Sequence, residues 1–225
     1  SVEGSLRRLG TDHIDLYYQH RIDPKVAPEE VAQVMSELMR EGKITHWGIS
    51  EADEEYLRRA NAVCPVTAVQ NRYSMMARQH EKLFPVLEEL GIGFVAFSPM
   101  ANGFLTGRYA KGEPFDRKYD YRASMPQFAD EAIDENRELL GLLSGMAEEK
   151  DATPAQISMA WMLCKKPWIV PIPGTRKPDR MKENAGAADI MLTADEVARL
   201  DEALENMSMS DVFGGTGTVK KQEAK

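Results

Sequence analysis

The sequence is poor in cysteine. Cys64 and Cys164 are its only two, too few for a disulfide framework and without the close spacing of a metal site. They predict reduced, partly buried thiols and a cytoplasmic protein. Histidine is scarce too, with four in 225 residues. His13, His46, His80 and the acidic residues show no ligand spacing such as HExxH, so no metal is expected. No run of about 18 apolar residues occurs, which predicts no membrane span. Positive charge is in deficit, 28 Lys and Arg against 36 Asp and Glu for a net charge of -8. That balance argues against a general nucleic-acid binder, although a local basic cluster can still serve one anionic ligand. No strand pattern is followed by GxGxxG, which weakens a dinucleotide site of the open-sheet type. Ser98 has no GxSxG elbow around it and is not read as a hydrolase nucleophile. The first residues, "SVEGSLRRLG", contain neither an initiator Met nor a signal-peptide core. They read as the middle of something longer.

What is present is a chain that is 43% hydrophobic and 28% charged, a soluble globular profile of one large α/β domain or two small ones. Strand and helix patterns alternate. "HIDLYYQH" alternates apolar and polar positions as a strand does. "PEEVAQVMSELMREG" opens with Pro28 and acidic residues, repeats apolar residues at helical spacing and stops at Gly42. "KITHWGIS", "TAVQNRY" and "GFVAFSP" read as further strands, with "DEEYLRRANAVC" and "EKLFPVLEELG" as helices between them. Pro85 must sit in the first turns of the second helix or kink it. Residues 100–127 break the pattern with Gly and Pro turns and several aromatics, a length usual for functional lids or disordered segments. Helices are expected over residues 130–150 and 153–165, a strand at "WIVPIPG", and helices at "KPDRMKENAGAA" and "TADEVARLDEALENM". Thr193 and Glu196 form a capping box for the last. Five strands interleaved with helices predict a parallel sheet, either open and doubly wound or a (β/α)8 barrel, which would need eight strands.

In both architectures ligands bind beyond the carboxyl ends of the strands. The first strand delivers His20 and Arg21 there, the second Ser50 and Glu51, the third Gln70 to Tyr73. The fourth delivers Phe97 and Ser98, and the fifth Gly174, Thr175 and Arg176. A lone His20 would most simply be a histidine bonded to nearby backbone. Trp47 and Trp161 read as core aromatics, and Glu37 with Glu41 as a solvated helix face. "PIPGTRKPDRMKEN" is the most informative cluster. It sets Gly174 and Thr175 at a helix entrance followed by Arg176, Lys177 and Arg180. Backbone N–H groups and the dipole at a helix start attract phosphate, and arginines add bidentate recognition. Glu183 and Asn184, one turn on, can exchange hydrogen bonds with a base.

These residues resemble the aldo-keto reductase family. "SLRRLGTDHIDLYYQHR", "GKITHWGIS", "AVQNRYSMM", "GIGFVAFSPMANGFLTGRY" and "WIVPIPGTRKPDRMKENAGA" look like that family's segments, in its order, from Ser5 to about Leu204. The resemblance implies part of a (β/α)8 TIM barrel, family strands 4 to 8, over residues 1–210, and the Gly-rich then charged composition after it predicts a flexible tail at 211–225. It implies an oxidoreductase that uses NADPH, less often NADH, to reduce small aldehydes or ketones, and it accounts for the absent GxGxxG. Carried over by position, His20 matches the active-site histidine that orients the carbonyl. Ser50 and Gln70 match the residues that bind the nicotinamide carboxamide, and Phe97 the aromatic that stacks on the nicotinamide. Glu51 stands where many members have Asn. Ser98, Met100, Asn102, Gly103 and Leu105 fall on the loop around the pyrophosphate. Gly174, Thr175, Arg176 and Arg180 match the segment at the adenosine 2′-phosphate, with Glu183 and Asn184 at the adenine. Gly174 replaces a Lys found in some branches.

The family's catalytic Asp, Tyr and Lys belong to three barrel strands that precede this stretch, so the chain is expected to be truncated and catalytically impaired on its own. Tyr17 and Tyr18 are at the wrong motif position to replace the Tyr acid. The alternative readings are a nucleotide-sensing regulatory subunit and a truncated, non-catalytic homologue. A partial barrel would also expose strand edges at "HIDLYYQH" and "WIVPIPG", which predicts either self-association or a further N-terminal piece that covers them.

Overall fold

The computed structural model describes residues 1–112, 114–116 and 118–213. The tail expected over residues 211–225 therefore lies, from residue 214 onward, outside the described residues. Among the described residues, nine α-helices and five strands alternate along the chain. The strands form one parallel sheet in sequential order. Two compact units are distinguished: Ser1–Asn71 with Glu81–Val95, and Arg72–His80 with the chain from Ala96 onward.

The first unit holds α1 (Val2–Leu9), β1 (Ile14–Gln19), α2 (Pro28–Arg40), β2 (Ile44–Ser50), α3 (Glu54–Val63), all but the last residue of β3 (Ala68–Arg72), α4 (Phe84–Leu90) and the start of β4 (Gly93–Phe97). β1 pairs with β2 from Ile14–Ile44 to Gln19–Ile49, and β2 with β3 from Gly48–Ala68 to Ser50–Gln70. Gly93 N–H donates to Thr67 O at 2.9 Å and starts β4 beside β3. Helix ends follow local chemistry. Pro28 and two glutamates open α2, and the Asp53 carboxylate accepts from Tyr56 N–H to cap α3. Pro85 sits in the first turn of α4, after a 3-10 turn, and does not kink it. Trp47, Ile49, Leu57 and Val69 are fully buried in this unit. Arg58 bridges Glu54 and Glu89 on its surface.

The second unit holds the end of β4, the long loop after it, α5 (Asp130–Glu135), α6 (Arg137–Glu149), α7 (Pro154–Lys165), β5 (Ile169–Pro171), α8 (Pro178–Ala185) and α9 (Ala194–Asn206). Ile172 N–H donates to Ala96 O at 3.0 Å beside the β5 strand. Trp161 is fully buried, stacks on Tyr73 at 5.4 Å and donates its indole N–H to Asp201 at 2.8 Å. Thr193 and Glu196 form the expected capping box of α9.

Three expectations are corrected. The single helix over residues 130–150 is two, because Asn136 turns its side chain inward. Its amide donates to Ala132 O and Ser210 Oγ, both at 2.7 Å, and its oxygen accepts from Ser210 N–H at 3.2 Å. The strand at "WIVPIPG" shrinks to Ile169–Pro171, since Pro171 and Pro173 bring no N–H to a ladder. The helix at "KPDRMKENAGAA" ends at Ala185 and continues only as a 3-10 turn, Gly186–Asp189.

Candidate functional site

In the first unit the site candidates sit at the ends of β1, β2 and β3. Gly48 has no space for a side chain. A Cβ there would lie 2.4 Å from Tyr18 Cε1 and 2.8 Å from Ala68 O. The Tyr18 ring can therefore cross β2, where burial pushes its phenol pKa up and a hydrogen bond to the Gln70 side chain partly opposes the shift. Ser50, which is buried, donates its hydroxyl to Gln70 O at 3.0 Å and accepts from Arg21 Nη1 at 3.1 Å. The same Arg21 nitrogen donates to His20 O at 2.7 Å. Glu51 follows at φ 60°, and its N–H reaches Gln70 O and Asn71 Oδ1. Ser50 and Gln70 thus belong to one hydrogen-bonded platform that Tyr18 and Arg21 complete. His20 is exposed and its ring makes no hydrogen bond to a described residue. It is not the backbone-tied histidine that a lone residue would suggest.

In the second unit the chain leaves β4 through a run of positive φ values. Ser98 is at 53°, Ala101 at 47°, Asn102 at 61° and Gly103 at 97°. The turn is closed by its own amides, Ala101 N–H donating to Ser98 O at 3.0 Å and Gly103 N–H to Met100 O at 2.9 Å. Ser98, Met100, Asn102, Gly103 and Gly174 share a cavity of about 210 Å³ with Tyr121. Met100, Gly103 and Gly174 also line a narrower cavity of about 80 Å³ with Thr175, Arg180, Glu183 and Asn184. Nine of the candidates are thereby brought to two adjoining cavities. Asn102 Oδ1 is buried with no hydrogen-bond partner among the described residues, a cost that a bound donor would remove. Three candidates are set apart. Leu105 is fully buried, so its side chain belongs to the core. Phe97 is half-buried and carries the Arg72 guanidinium 4.9 Å from its ring centre. Arg176 is exposed and lines neither of the two cavities.

Sequence reading missed Thr106, Arg108 and Tyr109, which line the smaller cavity. Arg108 holds Glu183 at 3.1 Å, so the carboxylate in that cavity is already matched. Arg180 makes no ion pair with a described residue. A cation directly after the Gly107 turn was the available signal. The long loop is not an open lid. Arg122 lies over the rings of Tyr109 and Phe115 and bonds Asp120 and the Tyr109 hydroxyl. Phe128 meets Phe104, Tyr109 and Phe115 edge-on at 5.1 to 5.7 Å. This small core fixes the loop that carries Arg108 and Tyr121. Among the described residues no cluster of three or more metal-ligating side chains occurs, and no helix is long and apolar enough to cross a membrane.

Residues 1–205 match the sequence model of the aldo/keto reductase family. The chain is 40% identical over 205 residues to the aldo-keto reductase str7 of Strobilurus tenacellus, covering 89% of this chain and 61% of that one. It is 38% identical over 215 residues to the probable aldo-keto reductase 1 of Glycine max, covering 95% and 60%. It therefore spans about three-fifths of the length of these relatives. Among solved structures, it resembles the glycerol dehydrogenase AKR11B4 from Gluconobacter oxydans at a TM-score of 0.84 and 26% identity, covering 92% of this chain and 63% of that one. It also resembles a thermostable aldo-keto reductase, Tm1743, solved with the inhibitor epalrestat, at 0.70 and 28%, covering 90% and 64%.

Proposed function

The chain belongs to the aldo/keto reductase family, and from that premise we propose that the protein is an oxidoreductase that uses NADP(H) to reduce small aldehydes or ketones. The observation that carries this reading is the paired cavity beside the left-handed turn at Asn102 and Gly103, where, among the described residues, Arg180 in the wall has no ion-pair partner and Asn102 Oδ1 no donor. A cation in the wall of a narrow cavity fits a phosphate, and the orphaned amide oxygen fits a hydroxyl or amide donor elsewhere on a dinucleotide.

In this reading the cofactor, when bound, supplies the hydride. Thr175, Arg180 and Arg108 hold the 2′-phosphate end, with Asn184 at the adenine. Glu183 acts mainly by orienting Arg108, since it already accepts that guanidinium. Arg176, which lines neither of these cavities, contributes less than its sequence position implies. Ser98, Met100, Asn102 and Gly103 surround the pyrophosphate, and Leu105 shapes that loop from the core. Ser50 and Gln70 hold the carboxamide and Phe97 stacks on the nicotinamide. His20, exposed and without a competing side-chain hydrogen bond to a described residue, orients the carbonyl oxygen and supports its developing charge. Holding carbonyl and cofactor together contributes through proximity. The proton donor and its activating groups are those the family carries on strands other than these five, so the 225 residues alone bind the cofactor without turning over. The same reading takes residues 1–210 as a section of the barrel and leaves the outer edges of β1 and β5 able to pair with another chain. Two free thiols, Cys64 and Cys164, support a cytoplasmic site of action.

Calorimetric titration tests the cofactor assignment. Arg180→Ala is expected to weaken NADPH binding by about ten- to a hundredfold, the worth of a charge-assisted phosphate contact. NADH, which lacks the 2′-phosphate, is expected to change by less than about twofold. Equal losses for the two cofactors would remove Arg180 from the phosphate site.

A further inference from the structure

The second unit contains an arginine clamped between two rings. The Arg72 guanidinium lies 4.9 Å from the Phe97 ring centre and 5.4 Å from that of Phe213. Tyr73 N–H donates to Phe97 O at 3.2 Å, so the backbones at the two strand ends are fixed beside each other. A guanidinium is planar and stacks on aromatic faces, where the ring quadrupole attracts it. Phe97 would otherwise be a half-buried ring at a strand end, free to change rotamer.

The outer jaw of the clamp is anchored at a distance. Phe213 donates its N–H to Gln127 Oε1 at 2.9 Å, and Gln127 Nε2 donates to Ala101 O at 3.2 Å. Ser210 both donates to and accepts from Asn136. Gln127 and Asn136 are completely buried, and Val212 between the two anchors is 2% exposed. Buried carboxamides are costly unless satisfied. Two of them are satisfied by residues 210–213, which fixes Phe213 against Arg72.

We propose that Arg72 is a positioning residue for the cofactor, acting through Phe97 and held in place by Phe213. One face of Phe97 lies under the guanidinium, so only the opposite face is available for stacking. Residues 210–213 are thereby coupled to cofactor affinity without contacting the cofactor. The inference rests on the reading of Phe97 as the nicotinamide stacking ring.

Two ligands separate positioning from general damage: NADPH, and adenosine 2′,5′-bisphosphate, which keeps the adenine, the 2′-phosphate and one phosphoryl group of the pyrophosphate but has no nicotinamide. Both are titrated calorimetrically into the full-length protein and into R72M, R72K, F213L and F97A, each checked for an unchanged circular dichroism spectrum. R72M is expected to weaken NADPH by about five- to thirtyfold, the range of a desolvated cation–π contact. The bisphosphate should stay within about twofold. R72K should recover part of the loss, and F213L should reproduce part of it. Equal weakening of both ligands by R72M would make Arg72 merely structural and overturn the proposal. So would unchanged NADPH binding in R72M while F97A binds weakly. If F97A itself binds NADPH normally, the reading of Phe97 fails, and the role of Arg72 with it.

Discussion

Gly48→Ala is the smallest substitution that tests how the Ser50–Gln70 platform is built. The added methyl would lie 2.4 Å from Tyr18 Cε1 and 2.8 Å from Ala68 O. Both are well inside contact distance. The second is a backbone atom in a strand paired at that very position, Gly48 against Ala68, and it cannot rotate away. Relief must come from the Tyr18 ring, and moving that ring breaks its hydrogen bond to Gln70. Overpacking of this kind costs about 2–3 kcal/mol, or a fall of about 4–12 °C in Tm for a chain of this size. Thermal unfolding followed by circular dichroism reads the cost. A cycle with Tyr18→Ala apportions it: removing the ring leaves only the Ala68 contact, so Gly48→Ala should cost about 1 kcal/mol less in the Y18A background. A G48A protein that melts within about a degree of the parent would refute the packing argument. An identical cost in both backgrounds would refute the role of Tyr18.

Asp201 accepts from the buried indole of Trp161 and from Lys165 Nζ at 2.7 Å. Asp201→Ala should cost about 2–3 kcal/mol in urea unfolding by stranding the indole N–H, while Asp201→Asn, which can still accept it, should cost about 1 kcal/mol less. In the long loop, bonding to Arg122 is the main cause that holds the Asp120 carboxyl below its ordinary range. A depressed carboxylate stabilises the folded loop at pH values above its unfolded pKa, and that contribution disappears as pH falls through the lower folded value. Hydrogen exchange in residues 108–128 should therefore accelerate in acid below the usual aspartate range. Asp120→Asn should exchange faster at neutral pH and lose that acid dependence, and an unchanged acid response in D120N would exclude this carboxylate as the cause.

Much of the fold could be read from the order of patterns, because strand and helix periods are local signals. Pro28, Asp53 and the Thr193–Glu196 pair mark helix starts within four residues of the groups they satisfy. The break at Asn136 could not be read that way, since its partner Ser210 is 74 residues distant. The same limit applies to the site. His20, Ser50, Gln70 and the cluster from Gly174 to Asn184 stand at strand ends or a helix entrance, where residue type and position already suggest chemistry. Arg72 stands at a strand end as well, yet nothing local distinguishes it from a solvated cation. Its meaning depends on Phe97, 25 residues on, and on Phe213, which is held by amides at 127 and 136. A cation placed between two rings is recognisable only once the chain has returned to it twice.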